Sequence, residues 1–215
     1  ATVVYTLVSG TGTASNYSLA NGSAIGNITA APLTITGVTA SNKVYDGTTT
    51  ATLSGTAAYS GLQNGETFSV TGTPSATFAT AAVGSGKAVT VTGYTAPSAN
   101  YTLTQPTGLT ANISVALLTV VASTQSKTYG TSSPTSGTLN TNYTVSGLQG
   151  TDAVSGVNLG YSGTPAGNLS TANVGSYTIT PSALTLSSGL LSNYTITYNT
   201  GTLTVNTAPL TITGV

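Results

Sequence analysis

The chain has 215 residues and a mass of 21.0 kDa, with three basic and three acidic side chains that cancel to a formal net charge of zero. A charged fraction of 3%, against about 25% in an average soluble protein, leaves no electrostatic footprint for nucleic-acid phosphates or for an anionic membrane. With no Cys, His, Met or Trp it also lacks disulfides, the usual zinc and haem ligands, His-based triads and the most easily oxidised side chains, which suits long exposure outside a cell.

Residues 1–30 contain "NYSL" from 16 and "NITA" from 27, and read as the closing half of a preceding domain. "APLTITGV" at 31–38 alternates apolar and Thr residues, the pattern of a half-buried strand in which β-branched, polar Thr takes the outward positions. "SNKVYDGT" at 41–48 predicts a turn, with Gly47 free to take positive φ and Tyr45 packed on the core. "SGLQNGE" at 60–66 is the single candidate for a helical turn, and "KAVTVTGYT" at 87–95 is a further strand. After "NYTL" at 100 comes "NISVALLTV" from 112, the counterpart of "NITAAPLTI" from 27, which passes from the last strand of one domain into the first strand of the next with only two or three residues between.

The same order then returns. "QSKTYGTS" at 125–132 matches the turn at 41–48, "SGLQGTD" at 146–152 matches 60–66, and "GSYTITPSAL" at 175–184 is a long alternating strand. "NYTITYNTGTLTV" at 193–205 places Tyr194, Ile196 and Tyr198 on one face, turns at Asn199 to Gly201 and returns through Leu203 and Val205, which predicts a hairpin. "APLTITGV" closes the sequence at 208–215, letter for letter as at 31–38. The expected organisation is therefore 1–30 as the end of one repeat domain, 31–115 and 116–207 as two related domains, and 208–215 as the first strand of another. Gly and Pro punctuate the chain every eight to twelve residues and no sustained 3.6-residue apolar period appears, so the fold class is all-β: small tandem sandwiches, Ig-like or β-grasp-like, in an extended array. No apolar run approaches the roughly 18–20 residues of a membrane span, and any export signal is expected outside these residues.

Little here reads as chemistry. The carboxylates are Asp46, Glu66 and Asp152; the last two are repeat-equivalent and are read as turn caps or partners of a backbone N–H. Their spacing brings no acid/base pair together within a domain, Asp46 with Glu66 being the sole candidate, and no cluster offers the six or more oxygens that calcium takes. No catalytic, cofactor or metal residue is assigned. Lys43 and Lys127 are also repeat-equivalent, Lys87 has no counterpart, and the scarcity of acids argues against a Lys–Asn isopeptide cross-link. The glycosylation pattern Asn-x-Ser/Thr occurs eight times, at Asn16, Asn21, Asn27, Asn100, Asn112, Asn142, Asn168 and Asn193, and glycans there would help a chain with so little charge stay soluble.

In these motifs the chain resembles a known pair of modules. "KVYDGTTTATLSG" in the first domain resembles the YDG domain, and "KTYGTSSP…YTVSGLQGTD…VGSYTITPSAL…SNYTITYNTGTLTV" in the second resembles the MBG domain, modules that alternate in large bacterial surface adhesins similar to filamentous haemagglutinins. The resemblance implies an extracellular or cell-surface repeat protein without enzymatic residues, used in attachment, aggregation or biofilm. Its expected partners are neighbouring repeats and laterally associated copies, with host or matrix glycans as an alternative. A short subunit polymerising by strand addition is a further alternative, permitted by sheet edges that lack Lys and Pro guards.

Overall fold

The computed structural model describes residues 12–17 and 26–213. The half-domain expected over 1–30 therefore falls mostly outside the described residues, as does Asn21. Among the described residues there is no α-helix; single 3-10 turns occur at Ala14–Asn16 and Leu191–Asn193, and the rest is strand and turn.

The first domain is built from β1 (Ala31–Ala40), β2 (Lys43–Val44), β3 (Thr50–Ala51), β4 (Leu53–Ser60), β5 (Thr71–Phe78), β6 (Gly84–Thr95), β7 (Tyr101–Thr104) and β8 (Thr110–Ser114). One sheet has the order β4-β1-β7, the other β2-β8-β6-β5-β3. The second domain repeats this plan with β9 (Ala116–Ala122), β10 (Gln125–Thr128), β11 (Tyr143–Ser146), β12 (Ala153–Tyr161), β13 (Gly175–Ser188), β14 (Tyr194–Asn199) and β15 (Gly201–Asn206), in sheets β11-β9-β14 and β10-β15-β13-β12. In both, the first strand runs antiparallel to one neighbour and parallel to the other: β1 between β4 and β7, β9 between β11 and β14. Leu118 and Val120 on β9 meet the facing sheet through Ile179 on β13 and Leu203 on β15, all fully buried, so the alternating apolar set of each strand does supply the core.

The segment 193–205 is not a hairpin. β14 pairs with β9 in parallel, from Tyr194↔Ala116 to Asn199↔Val121, whereas β15 pairs antiparallel with β13 and parallel with β10. At Thr200 the chain crosses from one sheet to the other. Period-two alternation fixes which face of a strand is buried and leaves its partner open, so a hairpin and a sheet crossing carry the same pattern. The phenol of Tyr198 makes the crossing worthwhile, accepting the Leu184 N–H of the facing sheet at 3.0 Å. "SGLQNGE" is not helical either: Glu66 N–H donates to Gln63 O at 2.9 Å, Asp152 N–H to Gln149 O at 3.0 Å, and the chain turns once and moves on.

Two edge strands do carry lysine, β2 with Lys43 and β10 with Lys127, contrary to the expectation of unguarded edges. Both ammonium groups nevertheless turn onto their own loops: Lys43 reaches Thr48 and Thr50 carbonyls, and Lys127 reaches those of Thr131 and Leu169. The repeated strand sequence behaves differently at its two sites. Leu33 in β1 is 1% exposed, while the corresponding Leu210, in a segment that forms no strand over 207–213, is 91% exposed.

Candidate functional site at the domain junction

The three carboxylates are held apart in separate settings. Asp46 closes the β2–β3 loop: its Oδ1 accepts Lys43 Nζ at 2.7 Å, Thr48 N–H at 2.8 Å and the Thr48 hydroxyl at 2.9 Å. Desolvation would raise its pKa, but these donors together outweigh it and hold the carboxyl below the usual range. Lys127 has no such acid because Gly130 follows Tyr129 where Asp46 follows Tyr45; burial alone pushes its pKa down. Lys87 donates to the Thr80 hydroxyl at 2.8 Å. Among the described residues no group of three or more His, Cys, Asp or Glu stands close enough to hold a metal ion.

Glu66 and Asp152 do not cap backbone N–H groups; each accepts a tyrosine hydroxyl. Tyr194 O–H donates to Asp152 Oδ2 at 2.6 Å and accepts Gln149 N–H at 3.0 Å. In the first domain Tyr101 O–H donates to Glu66 Oε2 at 2.5 Å and accepts Gln63 N–H at 3.0 Å. The recurring "SGLQ" turn thus presents an amide and a carboxylate to the phenol of the recurring "NY" pair, a latch made the same way twice. Burial first, and then the bond to Asp152, pushes the Tyr194 phenol up to about 12.

The second latch carries an additional partner from the neighbouring domain. Tyr45, expected on the core, is buried in it and also donates to Asp152 Oδ2 at 3.0 Å, setting its ring edge-on to Tyr194 with centroids 5.5 Å apart at 84°. Beside it Val83 N–H donates to Asn193 Oδ1 at 3.0 Å. Gly47 lies so close to Gly150 that a Cβ on it would stand 2.9 Å from the Gly150 Cα, and its φ of +76° belongs to glycine in any case. Val115 alone separates β8 from β9. The joint is therefore short in covalent terms and closed by side chains, the arrangement that fixes one domain against the next.

One of the glycosylation candidates, Asn193, lies at this junction. Asn193 is 4% exposed and its amide oxygen is occupied, which leaves no room for a sugar. Asn142 is half-buried, accepting Thr138 N–H and donating to Gln125 Oε1, and Asn168 is half-buried as well. Asn16, Asn27, Asn100 and Asn112 are exposed, although Asn112 Oδ1 accepts Gly86 N–H at 2.7 Å. Sequence reasoning paired the Lys-x-Tyr, "SGLQ" and "NY" motifs between repeats but did not join them to one another; their recurrence as a set of three was the available signal.

Comparison with known families bears on the same two units. Residues 29–108 match the YDG domain, and residues 118–204 match the MBG domain of the YGX type. No curated protein and no solved structure matches the chain.

Proposed function

We propose that this chain, which carries a YDG domain followed by an MBG domain of the YGX type, is a structural segment of an extracellular bacterial adhesin, a stalk that holds a distant attachment site away from the cell. The single observation that carries the reading is the closed joint, in which Tyr45 and Val83 of one domain are bound by Asp152 and Asn193 of the next. A spacer needs a fixed angle at each joint and the same device in every repeat, and the tyrosine–carboxylate latch onto which this joint closes occurs within both domains. Composition is compatible, since a chain without Cys needs no oxidative folding after export.

A glycan-binding module is less well supported. A depression of about 350 Å³ in the first domain is lined by Val89, Val91, Pro106 and Leu109 among others, with no aromatic ring on which a sugar could stack. The exposure of Leu210 favours a second reading, in which 208–213 adds as a strand to another chain and builds a fibre without covalent continuity.

The test is to replace the two domains in the surface protein by an unrelated rigid spacer of equal length. Adhesion kept with the long spacer and lost with a short one is the stalk result; adhesion lost with both refutes the stalk and favours a binding module. The mass of the fully denatured native polypeptide separates the second reading. A value far above 21.0 kDa means a covalent array, and one near it means strand exchange.

A further inference from the structure

Both halves of the observed junction recur at surfaces that meet no other domain among the described residues. The outgoing half consists of the Tyr45 phenol and the N–H of Val83, the residue before β6. In the second domain the same sequence positions, the Lys-x-Tyr turn and the Val that precedes β13, are Tyr129 and Val174. These two lie far apart in sequence, yet they line one depression together with Thr207 and Ala208. Tyr129 N–H donates to Asn206 O at 2.9 Å just as Tyr45 N–H donates to Ser114 O at 2.8 Å, so the two turns are anchored alike. The difference is cover: Tyr45 is 6% exposed, Tyr129 47% and Val174 53%.

The incoming half consists of Asn193, Tyr194 and Asp152, and its first-domain equivalents are Asn100, Tyr101 and Glu66. The Tyr101–Glu66 bond is already made, Asn100 is exposed where Asn193 is buried, and Phe68 stands edge-on to Tyr101 as an apolar rim. Thr207 occupies the place of Val115, and 208–213 spells the sequence of β1.

We propose that Tyr129 and Val174 form a docking surface whose occupant is the Asn100, Tyr101 and Glu66 face of a further YDG domain, so that one plug-and-socket contact joins every successive pair. The Tyr129 hydroxyl then donates to the glutamate, and the Val174 N–H to the asparagine. A glutamate in place of Asp152 adds one methylene of reach on the incoming side. The proposal rests on the tandem reading and specifies what holds the tandem together.

The experiment lengthens the 215-residue chain by a second copy of residues 39–115, so that 208–215 serves as the first strand of the added domain. Tyrosine nitration by tetranitromethane, located by peptide mass spectrometry, reads each phenol, and amide exchange reads 208–213. The expected result is a Tyr129 that is reactive in the original chain and protected about tenfold or more in the lengthened one, at the level of Tyr45. Glu66→Ala in the added copy alone is expected to restore reactivity, and Tyr129→Ala to let the added domain melt separately. If 208–213 becomes protected while Tyr129 stays as reactive as before, the docking contact is overturned and the tandem reading stands. If 208–213 stays unprotected, both are overturned.

Discussion

Replacing Tyr194 by Phe deletes one oxygen that serves two partners while leaving the buried ring in place. The oxygen donates to the Asp152 carboxylate at 2.6 Å and accepts Gln149 N–H at 3.0 Å. A hydrogen bond to a charged group contributes about 1.5–3 kcal/mol, and a half-buried amide left without its partner costs roughly 0.5–1 kcal/mol more because water reaches part of it. Asp152 keeps its bond from Tyr45, which places the first figure toward its lower end. The expected loss is about 2–3 kcal/mol, or a fall in Tm of about 5–10 °C if the two domains unfold together. Urea titration followed by circular dichroism measures it, and Asp152→Asn completes a double-mutant cycle with an expected coupling of about 1–2 kcal/mol. A loss below about 0.5 kcal/mol, or strict additivity of the two substitutions, would refute the latch as an energetic unit.

The same phenol makes stability fall in alkali. Its pKa is about 12 when folded and about 10 when unfolded, so between these values the unfolded chain releases a proton that the folded one keeps. Stability is complete below pH 10 and declines as pH rises through 12, by up to roughly 2–3 kcal/mol; the urea midpoint followed from pH 8 to 12 checks this, and Tyr194→Phe is expected to flatten that slope. Gly189→Ala places a Cβ 2.2 Å from the Asp152 Cγ at a φ of +88°, and is expected to cost about 1–3 kcal/mol and to speed amide exchange at Gln149. Leu118→Ala, at a fully buried position in β9, is expected to cost about 2–5 kcal/mol in the same titration.

Much of this architecture is legible in the sequence because it depends on local alternation. The apolar set of "APLTITGV" and of "GSYTITPSAL" predicts β1 and β13, and the burial of Leu33 and Ile179 follows from it. Pairing is another matter. Tyr194, Ile196 and Tyr198 share a face in either a hairpin or a crossing, and only the Tyr198–Leu184 bond and the register against β9 separate the two. The site was harder still to read. Tyr45 and Asp152 stand 107 residues apart in sequence, and a short aromatic turn gives no local sign that its phenol also reaches the next domain. Repetition was visible in the letters; what the repeated letters do to one another required the fold.

The parallel pairing of β15 with β10 bears on how each domain answers a pull along the chain. Tension between neighbouring domains reaches the second one at Ala116 and leaves it at Asn206, the far end of β15. There the ladder runs in parallel from Gln125↔Leu203 to Thr128↔Asn206, so the strands are drawn lengthwise past each other and their bonds strain together instead of opening one by one like a zip. In the first domain β2 lies beside β8 in the same sense, Lys43 against Ile113 and Val44 against Ser114. Shear of this kind is the mechanically stiff direction of a sheet, so a pull along the chain meets each domain where it resists most.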